Sequence, residues 1–178
     1  MYFGDAAHFV LGTFLCYLWT KVRLFVKAAA GRQRSNVLGA WNAVTNTLVV
    51  VTNTTVVNSE TTCELLRKIA AQSLGRPVTL VLDNARYQYC QVVQSLAQQL
   101  GIELLFLPSY SPHLNLIERL WKFTKKSALR GRYYANFAEF RAAIDACLDQ
   151  IDTTHRRPLA TLMTHNFQTF DNVSLLNG

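Results

Sequence analysis

Two apolar runs separated by a helix-spaced segment constrain this chain more than any other feature. Residues 78–82 (VTLVL) and 102–107 (IELLFL) are almost continuously apolar, the composition of strands covered on both faces. Between them, residues 88–100 carry Val92, Val93, Leu96 and Leu100 at helical spacing, and Gly101 follows as a stop. A strand, a helix and a strand in this order place both strands in one sheet with the helix packed on its face.

The flanking segments extend that sheet. Upstream, residues 2–10, 14–26, 37–43 and 48–52 read as strands, with Gly12 at one turn and Thr45 with Asn46 at another. They form an antiparallel meander. After Asn58 the period changes: Thr62, Leu65, Leu66, Ile69 and Ala70 recur at helical spacing, Thr61 with Glu64 fits a capping box, and Gly75 and Pro77 end the helix. Downstream, Ser111 before Pro112 predicts a helix start, the hydroxyl capping a free amide and the proline at the first helical position, and this helix is expected to run to about Leu129. Asn136 with Glu139 opens a last helix whose apolar face is Phe140, Ala143, Ile144, Cys147, Leu148 and Ile151. The expected class is α/β, a mixed sheet flanked by helices.

Length and composition agree with one core, since a chain of 178 residues can bury roughly two-thirds of its unfolded surface. Cys16, Cys63, Cys90 and Cys147 form no CxxC pair, so neither a zinc site nor a disulfide framework is signalled. The apolar stretch at residues 9–19 is too short to span a bilayer and has no basic segment before it. A soluble, cytoplasmic setting without membrane partners is therefore expected.

The net charge of +7 is clustered. Lys21, Arg23, Lys27, Arg32 and Arg34 fill one window, and Arg119, Lys122, Lys125, Lys126, Arg130 and Arg132 fill another, with no acid in either. Such clusters either keep a face solvated or attract a polyanion, of which a phosphate backbone is the commonest.

Against this basic background three acids stand out. Asp83 ends a buried strand, where ligands bind in sheets of this kind, although Asp83 and Asn84 could also form a turn or a helix cap. Asp5, beside Gly4 in the first strand, could be a turn residue or lie on a solvated face. On the helical wheel Glu118 borders the buried sector of Leu114, Ile117, Leu120 and Trp121 and the basic sector of Asn115, Arg119, Lys122, Lys126 and Arg130, where an ion pair with Lys122 is the simple alternative. Two metal ions about 4 Å apart require oxygen ligands converging from separate elements. Two strand ends and one helix border can supply them. Asn84 and Asn115 are candidates to orient the carboxylates without binding the ions.

Four segments carry a resemblance to a known family: FGDAAHF at 3–9, GRQRSNVLGAW at 31–41, LVLDNARYQ at 80–88 and LPSYSPHLNLIERLWKFTKK at 107–126, with thirty-four residues between Asp83 and Glu118. Over about residues 1–150 the chain resembles the bacterial insertion-sequence branch of the mariner-like superfamily of DDE transposases. The resemblance implies a ribonuclease-H-like fold, its five-stranded mixed sheet running from an antiparallel meander into parallel strands, in which the first and fourth strands lie side by side and bring Asp5 next to Asp83. Asp5, Asp83 and Glu118 are then the catalytic and metal-binding residues for two Mg²⁺ or Mn²⁺ ions per site. The implied reaction is cleavage at the ends of an insertion sequence, then attack of the freed 3′ hydroxyl on target DNA, usually at a TA dinucleotide, without a covalent enzyme intermediate. Arg32, Arg34, Arg119, Lys122, Lys125, Lys126 and Arg130 are the expected DNA contacts, in a homodimer associated with a bacterial nucleoid.

Departures from the pattern are Ala6, where many relatives have glutamate, and Gln88, where many have histidine. Only four residues precede Asp5, so the family's upstream helix-turn-helix part is expected to be absent, this chain being either the second reading frame of a split transposase, with that part as its partner product, or a fragment. The expected layout is a catalytic domain at 1–152 and a C-terminal tail at 153–178. Two other readings of the same residues are an inactive remnant that binds DNA without sequence preference and a stand-alone nuclease of the same fold. His8 is expected to pack in the core; Tyr110 and Ser111 to serve a turn and a cap; Trp19, Trp41 and Trp121 to be core residues, with Trp121 near enough to Glu118 to shape the site.

Overall fold

The computed structural model describes residues 1–12, 21, 33–73, 75–108 and 111–164. The expected strand at 14–26 lies outside them apart from Lys21, as do Arg32, Tyr110 and residues 165–178.

Strands β1 (Tyr2–Val10), β2 (Arg34–Asn42), β3 (Thr47–Asn53), β4 (Val78–Leu82) and β5 (Ile102–Phe106) form one sheet in the order β3-β2-β1-β4-β5. The first three pair antiparallel, while β4 joins β1 and β5 joins β4 in parallel. Asn46, at φ 56°, makes the left-handed turn between β2 and β3, a conformation asparagine tolerates better than most residues. Gly4 lies opposite Leu82 in the β1–β4 ladder. Asp5 and Asp83 are therefore the next residues along two adjacent parallel strands.

Strand β5 departs from expectation. It is an edge strand, not one covered on both sides: Glu103 and Leu105 point to solvent and Ile102 is buried. An apolar run does not by itself report whether both of a strand's faces are covered, and here the face of Glu103 and Leu105 is open.

Helix α1 (Ser59–Ser73) forms where the period predicts it, but its cap is Asn58, whose Oδ1 accepts from the Thr61 amide at 3.0 Å. Glu64, the expected partner of Thr61 in a capping box, instead pairs with Lys68 at 3.1 Å. The segment at 88–100 divides into a 3-10 turn (Arg86–Gln88) and α2 (Gln91–Gln99). Val93 and Ala97 face the core, and Val92, expected on the buried face, is 65% exposed.

The predicted helix from Ser111 to Leu129 is three pieces: a 3-10 turn (Pro112–Leu114), α3 (Ile117–Thr124) and a π-helical segment (Lys125–Leu129), in which the Arg130 amide donates to the Lys125 carbonyl at 3.0 Å. Ser111 does not begin the α-helix, which starts six residues later. The α-helical wheel holds only to Thr124, so the basic sector drawn through Lys126 and Arg130 does not continue on it. Helix α4 (Phe137–Asp149) opens as predicted, with the Glu139 amide donating to Asn136 Oδ1 at 2.9 Å and Asn136 Nδ2 donating back to the glutamate. A further helix, α5 (Arg156–Leu162), lies beyond the expected domain boundary at 152, and Leu159 and Met163 pack into the core.

Alternation along the strands produces two cores. Phe3, Ala7, Phe9, Val37, Trp41 and Val81 face α3, α4 and α5. Tyr2, Leu38, Ala40, Leu80 and Leu82 face α1 and α2. Each fully buried leucine contributes about 1.5–3 kcal/mol by leaving water. Asp5 shares the parity of Phe3 and Ala7, which sets its side chain on the α3 side of the sheet. Among the described residues, no helix is long and apolar enough to cross a membrane.

Candidate active site

Of the three sequence-predicted acids, the fold sets Asp5 and Asp83 side by side on adjacent parallel strands, and Glu118 lies on the helix that covers this face of the sheet. Asp5 follows the last β1 residue paired with β4, Asp83 follows β4, and Glu118 lies in the first turn of α3. Burial pushes the Asp5 carboxyl up to about 7, and the negative charges of Asp83 and Glu118 push in the same direction against hydrogen bonds from the Ala6 amide and Trp121. Glu118 forms no ion pair with Lys122 among the described residues.

Two donors organise the aspartates. Asn115, in the break between the 3-10 turn and α3, is 1% exposed, and its Nδ2 donates to the Gly4 carbonyl at 3.0 Å and to Asp83 Oδ1 at 3.1 Å. One amide thus ties the first strand, the second aspartate and the start of α3 together. From the other side, Trp121 Nε1 donates to Asp5 Oδ2 at 3.1 Å. Asn84, expected to share the orienting role, is exposed, and no described hydrogen bond joins it to either aspartate.

Tyr87 was not anticipated from sequence. It lies in the 3-10 turn after Asp83, where burial and the charges of Asp5 and Asp83 push its phenol up to about 12. Its place four residues beyond the strand-ending aspartate was the available signal. Beside it, Gln88 is completely buried and neither amide atom has a hydrogen-bond partner. His8 belongs to neither the core nor this site. It is exposed, its parity puts it on the opposite face from Asp5, and its Nδ1 lies 2.7 Å from Asn36 Oδ1.

The basic residues separate into two groups. Arg34 donates to the Thr55 carbonyl at 3.0 Å, and Arg119 Nη1 donates to the carbonyls of Leu162 and Thr164 at 2.9 and 2.7 Å, so both guanidiniums brace neighbouring chain segments. Lys122, Lys125, Lys126 and Arg130 are exposed along and beyond α3.

A divalent cation suits this donor set. Mg²⁺ is usually held by one or two carboxylates together with waters and substrate phosphates, and two adjacent aspartates with a glutamate nearby offer hard oxygen ligands. Among the described residues no three acids, histidines or cysteines form a closed chelating group. The fit therefore rests on the aspartate pair.

The family model for the DDE superfamily endonuclease matches residues 1–141. The chain belongs to that family. The five-stranded mixed sheet flanked by helices is ribonuclease-H-like, as in the transposase and integrase catalytic domains it matches. A Mos1 transposase paired-end complex with its left transposon end matches with a TM-score of 0.61 at 13% identity, over 94% of this chain and 56% of that one. The magnesium complex of the HTLV-2 integrase catalytic core domain matches with a TM-score of 0.53 at 15% identity, over 86% of each chain. A chain of the simian T-cell lymphotropic virus intasome, in complex with the PP2A regulatory subunit B56 gamma, matches with a TM-score of 0.58 at 17% identity over 86% of this chain. This DDE endonuclease chain spans 48% of that intasome chain, about half its length. No curated protein matches the sequence.

Proposed function

We propose that this chain is the catalytic domain of an insertion-sequence transposase, which cuts DNA at the element's ends and joins the freed ends to a target. The observation that carries this reading is the adjacency of Asp5, inside β1 just past its last pairing with β4, and Asp83, at the end of β4, with Glu118 on the facing helix and a donor held on each aspartate. A bound pair of Mg²⁺ or Mn²⁺ ions, held by these three carboxylates, would activate the attacking oxygen and stabilise the leaving one.

The chain's own residues supply the rest. Asn115 holds the orientation of Asp83, and loss of such a supporting contact typically weakens metal binding about 10–100-fold. Lys122, Lys125, Lys126 and Arg130 neutralise the phosphate backbone along the α3 side of the site. Arg34 and Arg119, held on backbone carbonyls, support the surface beneath the DNA and are weaker candidates for direct contact. The relatives' complexes with transposon ends and the dimeric integrase core support DNA as substrate and a dimer as the acting form.

The test is nicking of labelled duplex carrying the element's ends, with Mg²⁺ or Mn²⁺. Asp83→Asn and Glu118→Gln are expected to lose cutting by at least a hundredfold while binding DNA as wild type does. Cutting by Asp83→Asn at the wild-type rate sinks the reading. DNA binding that falls steeply with salt, without metal-dependent cutting by the wild type, establishes the inactive remnant instead.

A further inference from the structure

Trp121 and Gly39 together account for a feature that the three acids leave unexplained. Gly39 lies in the interior of β2, directly opposite Asp5 in the β1–β2 ladder. An interior strand glycine gives up side-chain packing and marks either unusual backbone or a close approach. Gly39 is not among the glycines with positive φ. Its reason is space: a Cβ there would stand 2.6 Å from Trp121 Cη2, 3.0 Å from Cζ2 and 3.2 Å from Ile117 Cδ1. The indole crosses β2 over the bare glycine, is 2% exposed, and meets Phe9 edge-on at 6.4 Å between ring centroids. Pinned in this way, its N–H is aimed at Asp5 Oδ2.

We propose that Trp121 is a positioning residue for metal binding, holding the Asp5 carboxylate in its ligating orientation, and that Gly39 is the space that lets it do so. This rests on the reading of Asp5 as a metal ligand. The indole is the only part of α3 that hydrogen-bonds Asp5 among the described residues, and it reaches from three residues beyond Glu118. Helix α3 therefore supplies one carboxylate and sets the angle of another.

The experiment is calorimetric titration of the whole chain with Mn²⁺, alongside the metal dependence of nicking. Trp121 is replaced by β-(3-benzothienyl)alanine, which keeps the ring's shape and removes only the N–H, and separately by phenylalanine; Gly39→Ala displaces the indole. Loss of a partner that orients a ligand typically weakens metal affinity about 10–100-fold, and a Kd at least tenfold weaker is expected for the benzothienyl protein, with DNA affinity in the absence of metal unchanged. In a ¹⁵N-labelled protein the Trp121 indole resonance is expected to move on Asp5→Asn, reporting the bond without any metal. A benzothienyl protein that binds Mn²⁺ as tightly as wild type overturns the proposal, and so does an indole resonance indifferent to Asp5→Asn. The benzothienyl side chain keeps the core volume, so the result stands even if Gly39→Ala fails to fold. Asp5→Asn separates the two ideas: Mn²⁺ binding that survives it undoes the metal-site reading itself, whereas binding lost in Asp5→Asn but kept without the indole N–H undoes only the role of Trp121.

Discussion

At the residue scale, Asp5 is where burial, like charge and hydrogen bonding oppose one another. The first two win, holding the folded carboxyl near 7 against an ordinary value of 3.8. Between those values the folded chain carries more protons than the unfolded one, so the stability linked to this group is fully present below 3.8 and is lost as the pH rises through about 7. The metal-free protein is therefore expected to melt several degrees lower at about pH 8 than at about pH 5 on account of this group, since about 1 kcal/mol corresponds to about 2–4 °C in a domain of this size. Asp5→Asn flattens that difference. Parallel melting profiles for wild type and Asp5→Asn across the window would show that the carboxyl is not raised. A cation that binds the charged form opposes the same trend, so a metal ion would offset the stability that the buried, repelled carboxylate costs above about pH 7.

The elements show how far caps and periods govern local structure. Where an asparagine side chain reaches the third amide beyond it, the helix begins: Asn58 caps α1 and Asn136 caps α4. Asn58→Ala removes the acceptor of both the Thr61 amide and the Thr61 hydroxyl. It is expected to cost about 1 kcal/mol, the usual value of such a cap, and to leave metal-dependent nicking unchanged below the melting range, because α1 packs on the face away from Asp5. Differential scanning calorimetry beside a nicking assay checks both parts; reduced nicking at full folding would mean that α1 is coupled to the site. The segment before α3 follows another logic. Its break at Asn115 leaves the strongest helix-start signal, Ser111 with Pro112, in a 3-10 turn, and frees the Asn115 amide to bridge β1 and Asp83. A continuous helix from Ser111 would spend that residue's position on an ordinary turn.

Across the whole molecule, the sheet separates two tasks. One face, under α1 and α2, is packed core; the other gathers α3, α4 and α5 and brings the acids and exposed lysines to the same side. With Lys122, Lys125 and Lys126 as phosphate contacts, the logarithm of DNA affinity falls with the logarithm of salt, and each contact removed lowers the slope by about 0.9. Lys125→Ala with Lys126→Ala is therefore expected to flatten the slope by about 2, measured by fluorescence anisotropy on a duplex over a range of NaCl. An unaltered slope would move the DNA path away from the π-helical segment.

The order of strands and helices, the meander and the cap of α4 are legible in the sequence, because burial period and capping depend on residues within about one turn of each other. The acids themselves stand out there only as a strand end, a lone aspartate and a helix border, and their union follows from resemblance. The pairing of β1 with β4 follows from the same resemblance, whereas tertiary structure alone exposes one face of β5, breaks the helix at Asn115, packs α5 into the core and lays Trp121 over Gly39. These outcomes join groups as far apart in the chain as Asn115 and Gly4, at 111 positions, or Trp121 and Asp5, at 116. No rule of local spacing reaches that far; what decides them is which surfaces exclude water together and which buried donors then find an acceptor.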